Sequence, residues 1–260
     1  MLISWTKRVL LVIGLPVVLI AAWWLTTAGS TSFYWPPLPT ILEVFVPTWF
    51  EGRMGTDVLP SLLRLATGYT LALVIGIGVG LAVGSSRTLR AIAEPVLEFF
   101  RAIPPPVLVP VLILFAGIGD GMKVLVIVSG AIWPILLNTV EGVRSIDEVL
   151  RDTARCYRFR RPARLVHLVL RGASPQIVAG ARQSLSIAII LMVISEMFAA
   201  SNGLGFSIIQ FQRSFAIPQM WSGIILLGLI GVALSLIFRV VESRTMSWYR
   251  GLRDAQRSGN

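Results

Sequence analysis

Apolar residues in this chain come in long runs separated by short clusters of charge, glycine and proline. A hydrocarbon core about 30 Å thick is crossed by roughly 20 helical residues. Six runs approach or reach that length, at 9–27, 62–84, 96–116, 122–139, 177–200 and 220–240. The pattern predicts an all-α membrane protein with six transmembrane helices. The third run carries Glu98 and Arg101 near its start, then Pro104-Pro105-Pro106 and Pro110. It predicts a kinked or broken helix, tolerated where neighbouring protein satisfies the freed backbone groups. Between the fourth and fifth runs, at 145–174, a different period takes over. Ile146, Val149, Leu150, Thr153, Ala154 and Tyr157 recur at three- and four-residue steps, one apolar helical stripe. Asp147, Glu148, Arg151, Asp152, Arg155 and Arg158 fall opposite it. Ser145-Ile146-Asp147-Glu148 has the form of a capping box. Pro162 suits the first turn of a second short helix, which Arg171-Gly172 would close. A two-faced element of this kind between two spans is expected to be a docking surface. The plainer alternative is a basic loop lying on anionic headgroups.

Charge sets the orientation. With the N-terminus inside, the inside segments hold seventeen of the 23 lysines and arginines, eight of them between Arg144 and Arg171. By the positive-inside rule both termini are cytoplasmic, and so is the arginine-rich segment. Lys7-Arg8 followed by an apolar run resembles the start of a signal peptide. The run is longer than such a region and ends in Trp23-Trp24, which suits an interfacial belt and a retained helix. The chain then divides into an N-terminal helix with an external segment (1–61), a core (62–241) containing the loop 145–174, and a basic cytoplasmic tail (242–260). Within the first part, the Pro- and Trp-bearing stretch 29–61 is expected to lie along the outer surface. A short amphipathic helix is expected near 41–50.

Composition narrows the function. The chain is 55% hydrophobic and 14% charged, the balance of a polytopic membrane protein. Its net charge of +10 gathers at the ends of apolar runs, not on an aromatic-interleaved patch, which argues against nucleic acid as a partner. Cys156 is the single cysteine and His167 the single histidine, so neither a disulfide framework nor a Cys- or His-based metal cluster is available. Ala72, Gly76, Gly80 and Gly84 recur every four residues and are read as a helix-packing seam. Gly76-x-Gly78 lacks the strand–helix context of a nucleotide fingerprint, and no phosphate-binding Gly-Lys-Ser/Thr loop occurs. Glu196 is the acid set well inside an apolar run, a functional candidate because its burial is costly. No buried ionisable partner for it is evident mid-membrane, so a structural or gating role is expected over proton coupling.

A set of local motifs then carries a resemblance. Pro37-Leu38-Pro39-Thr40, Ser61-Leu62-Leu63-Arg64-Leu65, Arg101-Ala102-Ile103-Pro104-Pro105 and Phe115-Ala116-Gly117-Ile118-Gly119 with Lys123 belong to it. So do Pro134-Ile135-Leu136-Leu137-Asn138-Thr139, Gly180-Ala181-Arg182 and the stretch from Glu196-Met197-Phe198 through Gly203-Leu204-Gly205. The chain resembles the membrane-spanning permease subunits of bacterial binding-protein-dependent ABC importers, in particular the aliphatic sulfonate, taurine and nitrate group. The resemblance implies a type I importer permease fold with a cytoplasmic coupling helix between helices 4 and 5. Asp152-Thr153-Ala154 stands where that family carries Glu-Ala-Ala, Arg158 where it carries glycine, and Leu168-Val169-Leu170-Arg171 where it carries Ile-x-Leu-Pro. Asp152, Thr153, Ala154, Arg155 and Arg158 would dock the ATPase; Gly76, Gly80 and Gly84 would pack helices; Glu196 would serve gating.

The resemblance further implies two ABC ATPase subunits, a second permease subunit (expected as a homodimer), an extracytoplasmic substrate-binding protein and the lipid of a bacterial inner membrane. ATP and Mg would sit on the ATPase, with no cofactor and no covalent chemistry on this chain. The substrate would be a small polar or anionic solute. A self-contained secondary carrier or channel is the alternative; it would be expected to show intramembrane charge pairs or inverted repeats.

Overall fold

The computed structural model describes residues 2–30, 32–198 and 200–249, with side chains of the first helix described from Gly14 onward. Every element among the described residues is helical or irregular. α1 (Leu2–Thr27) is followed by α2 (Leu38–Val46). The chain then passes through wide, π-type turns at Pro47–Val58 directly into α3 (Leu59–Ser85). From Leu38 onward the stretch expected to lie along the surface is therefore helical, and Ile41 and Trp49 within it are fully buried. The reason is local. Trp49 donates its indole N–H to Ser222 Oγ at 2.9 Å and meets Phe211 edge-on, which gives a large amphipathic ring an apolar bed and a polar partner.

α4 (Arg87–Ala102) and α5 (Val109–Ala116) meet at a bend of 84°. Three consecutive prolines remove three N–H donors and force Ile103 and Pro104 into extended backbone, so the third apolar run cannot stay one rod. α6 (Asp120–Arg144) is the central post, with Met122, Val126, Ile127, Ala131 and Ile135 fully buried. α7 (Glu148–Cys156) and the single turn α8 (Arg161–Ala163) form an elbow. α8 runs on through wide turns at Arg164–Leu170 into α9 (Arg171–Phe198). Arg171-Gly172 thus does not end a helix: Arg171 keeps the N–H that a proline would lack, and the helix continues. α10 (Leu204–Arg213) and α11 (Ile217–Thr245) complete the fold.

Among the described residues four helices, Leu38–Ser85, Asp120–Arg144, Arg161–Phe198 and Ile217–Thr245, are long and apolar enough to cross a bilayer, five if the bent pair counts as one span. The count of six rests on adding α1, whose described apolar part is the shorter Gly14–Thr27. Of the basic tail, residues 250–260 lie outside the described residues, as do the side chains of Lys7 and Arg8.

α3, α6 and α9 form the core of the bundle. On α3 a Cβ added at Gly68, Gly76, Gly80 or Gly84 would stand 2.8, 3.0, 2.6 and 2.8 Å from Ile127, Ile135, Thr139 and Val143. The four pairs keep one constant offset, so α3 and α6 run parallel with their backbones pressed together. Apolar packing against lipid gives no net drive between helices, so close approach through small residues supplies the contact instead. α9 runs antiparallel to α6. Ser184 donates to the Ala131 carbonyl at 2.5 Å, and Gly142 leaves room for the backbone of Ala173. Outward faces stay apolar, as on α11, where Leu229, Val232, Leu236 and Ile237 are all more than half exposed.

Candidate functional site: the elbow and the ion cluster at the two ends of the bundle

At the end of the bundle rich in arginine, α6 stops at Arg144 and the chain turns into α7. The cap of α7 is Asp147, not Ser145: its Oδ1 accepts the Val149 N–H at 2.7 Å. Ser145 instead donates to the Gly142 carbonyl at 3.1 Å and belongs to the end of α6. Because Asp147 lies two residues nearer the apolar stripe, the box drawn at Ser145 has no helix to close. The far end of α7 is shut by a pair of backbone bonds, Phe159 N–H to Ala154 O at 3.0 Å and Arg158 N–H to Arg155 O at 2.9 Å. Together these make a Schellman motif, whose penultimate residue must be left-handed. Arg158 is that residue, with φ +50°. The position where the resembled family carries glycine is therefore one whose backbone geometry favours glycine.

Arg151 donates to the carbonyls of Val143 and Arg144 and so pins α7 onto the negative end of α6. Asp152 pairs with Arg155 at 3.0 Å on the surface, Thr153 bonds back to the Val149 carbonyl at 2.7 Å, and Ala154 alone of the stripe is buried. Val149 is 72% exposed, Leu150 55% and Tyr157 75%. The structure thus brings Asp152, Thr153, Ala154, Arg155 and Arg158 together on one short capped helix. Its apolar stripe is left facing out. Cys156 and His167 are exposed on the same elbow.

Glu196 lies at the opposite end and is fully buried. The sequence offered it no ionisable partner; the structure supplies one. Arg64 of α3 donates from Nη1 to Glu196 Oε1 at 2.6 Å. The same guanidinium reaches Asn202 Oδ1 at 2.6 Å and Asp120 Oδ1 at 2.8 Å. Ser61 Oγ lies 2.7 and 2.8 Å from the two Glu196 oxygens. The other partners are the free N–H groups at the start of α10. Gly203 donates to Asp57 Oδ1 at 2.8 Å, Leu204 to Ser61 Oγ at 2.9 Å and Gly205 to Glu196 Oε2 at 3.0 Å. Side chains from the 57–64 stretch and from α9 therefore cap a helix that follows α9. Gly203 has φ +119° and sits against the Glu196 carboxylate, where a side chain would collide.

Ser61 and Arg64 entered the sequence reading only as part of a family motif, and Asp57 not at all, yet a signal for a shared site exists. The three recur at four- and three-residue steps, a polar stripe entering an apolar run. Gly76, Gly80 and Gly84 lie between the two ends, on the α3–α6 seam. No group of three or more His, Cys, Asp or Glu among the described residues is placed to hold a metal ion.

Residues 72–247 match the family model described as the binding-protein-dependent transport system inner membrane component. The chain is similar to the taurine transport system permease protein TauC of Escherichia coli K12, 30% identical over 94% of this chain and 91% of that one. It is also similar to the nitrate import permease protein NrtB of Synechocystis, 26% identical over 87% and 85%. Among solved structures, the inward-facing MetNI methionine ABC transporter matches with a TM-score of 0.60 and 21% identity, over 74% of this chain and 93% of that one. At that identity the likeness concerns the fold.

Proposed function

From the premise that this chain belongs to the family of binding-protein-dependent transport system inner membrane components, we propose that it carries a small oxyanion through the membrane on behalf of an ATP-driven importer. It is a permease subunit. It forms the path together with a second permease subunit, a copy of itself. A soluble binding protein delivers the solute to the end holding the ion cluster, and two ATPase subunits drive the cycle from the elbow end. The arginine distribution supports a cytoplasmic position for the elbow and both termini. ATP and Mg belong to the ATPase, and no residue of this chain makes or breaks a covalent bond.

One observation carries this reading: three large apolar side chains, Val149, Leu150 and Tyr157, are exposed on a helix whose two ends are both closed. A helix of nine residues is marginal by itself. Capping makes it stiff enough to transmit a displacement, and its bare stripe fits the hydrophobic core of a protein interface. Arg155 and Arg158 supply a polar rim, and Asp152 pairs with Arg155 within it.

The substrate class follows from the named relatives, one a taurine and one a nitrate permease protein. Sulfonate and nitrate share a compact, delocalised negative charge. A self-contained carrier would use a buried pair such as Arg64–Glu196 along its path. Here both members are engaged in holding α10, which favours the coupled reading.

The test is reconstitution of this chain with its ATPase in liposomes, adding binding protein loaded in turn with taurine, methanesulfonate and nitrate. ATP hydrolysis rising with one loaded ligand, and uptake of that ligand, is the expected result. Asp152→Lys should abolish both while the protein inserts and melts normally. Solute flux with no ATPase present would overturn the proposal.

A further inference from the structure

At the ion cluster, three donors on buried side chains converge on one oxygen of an exposed carboxylate. Asp120 Oδ1 accepts from Arg64 Nε at 2.8 Å and lies 2.7 Å from Arg64 Nη2 and 3.5 Å from Lys123 Nζ. The side chains of Arg64 and Lys123 are each 4% exposed, whereas that of Asp120 is 70% exposed. The other acids are engaged elsewhere. Glu196 serves Arg64, Ser61 and the Gly205 N–H, and Asp57 serves Gly203, Thr56 and Arg53. Among the described residues, Asp120 is the one carboxylate within ion-pair distance of Lys123.

We propose that Arg64 and Lys123 form a cradle for a diffusible oxyanion, and that the Asp120 carboxylate is its tethered occupant, which such an anion displaces. Two cations held out of water need a counter-charge, and an empty cradle would be costly. Exchange of one carboxylate oxygen for a sulfonate or nitrate oxygen keeps the charge and the donors matched, so the trade is near balance. Asp120 can leave because it already stands in water and opens α6 between Gly119 and Gly121, where an added Cβ would meet nothing within 4 Å. The inference rests on the oxyanion reading for the identity of the diffusing ion. The cradle itself rests on geometry.

The test uses the purified full chain in complex with its ATPase. Asp120→Asn keeps the shape and removes the charge, which vacates the cradle. Methanesulfonate should then raise the melting midpoint of Asp120→Asn but not of wild type, beyond any effect of sodium chloride at the same ionic strength. Asp120→Asn/Lys123→Gln should lose that response. In liposomes Lys123→Gln should lower oxyanion uptake about tenfold or more, the loss of one charge-assisted hydrogen bond. If Asp120→Asn accumulates poorly, methanesulfonate should restore its yield. No response of Asp120→Asn to methanesulfonate or nitrate, or an equal response to chloride, overturns the cradle. Oxyanion transport by wild type without that response removes the cradle and keeps the function. The response without any oxyanion transport does the reverse.

Discussion

The two ends of the bundle treat charge in opposite ways. At the ion cluster, Arg64 and Glu196 are buried and fully partnered, with the N–H groups of α10 absorbed into the same network. At the elbow, Asp152 and Arg155 pair in open water and three apolar side chains face out beside them. The first end is finished within one chain. Away from the Asp120 side its polar groups are architecture: Glu196 holds Arg64, and Asp57, Ser61 and Glu196 accept the N–H groups of Gly203, Leu204 and Gly205. The second end is finished only as a helix. Its backbone is capped at both ends while its apolar face is bare, and the proposed docking would cover that face. Substitutions should therefore cost stability at one end and association at the other.

The sharpest way to break that contrast is Glu196→Ala. It takes from the Arg64 guanidinium its buried counter-ion, leaving it Asp120 and Asn202, and uncaps Gly205; removing one partner of a buried ion pair costs about 3–5 kcal/mol. Loss of folded protein from the membrane, or a large fall in melting midpoint, is expected; a near-normal melt would make the cluster decorative. Glu196→Gln, which still accepts the Gly205 N–H, should fall between. Gly80→Leu comes next. Thr139 Cβ and the Leu136 carbonyl lie 2.6 and 2.9 Å from where its Cβ would be, so α3 and α6 must separate. The cost should approach about 3 kcal/mol, the upper part of the overpacking range. Normal yield and uptake would refute the packing of the seam.

At the elbow, Leu150→Glu tests the other half of the comparison. Surface substitutions away from special features change stability by about 0.5 kcal/mol at most, so the melt should not move. A leucine buried in an interface contributes about 1.5–3 kcal/mol, so affinity for the ATPase subunit should drop roughly tenfold to a hundredfold. Pull-down of the ATPase from co-expressed membranes reads it directly. An unchanged pull-down would mean that the stripe faces lipid and that the basic-loop reading was right.

How much of this was legible in the sequence follows the same division. The apolar runs gave the spanning helices, and the four-residue glycine spacing gave the α3–α6 seam, because both depend on period alone. The proline triplet gave the 84° break for the same reason. The partner of Glu196 was not legible, since Arg64 is 132 residues away and only the parallel packing of α3 against α6, with α9 alongside, brings them together. The cap at Asp147 was missed by two residues, because Ser145 and Asp147 both make good caps and only the end of α6 decides between them. The continuous helix through 47–58 was missed because Pro47, Gly52 and Gly55 speak for a loop, and the buried Trp49 overrides them.

The smallest expected effect joins the two ends. Arg158 ends α7 and Phe215 ends α10, both left-handed, at φ +50° and +57°, and both in the same pair of backbone bonds. A side chain there costs about 1–2 kcal/mol relative to glycine, partly offset because glycine also loosens the unfolded chain. Arg158 touches no partner that would be lost, so Arg158→Gly should raise the melting midpoint by roughly 0.5–1 kcal/mol of stability. Phe215 meets Phe33 in a tilted ring contact, with centroids 6.1 Å apart. An aromatic pair contributes about 0.5–1.5 kcal/mol, enough to cancel the gain, so Phe215→Gly should be neutral or worse. Equal stabilisation at both positions would mean that the Phe33 contact contributes nothing. A loss at Arg158 would mean that its guanidinium is held by the elbow itself, which would move that end toward the finished kind.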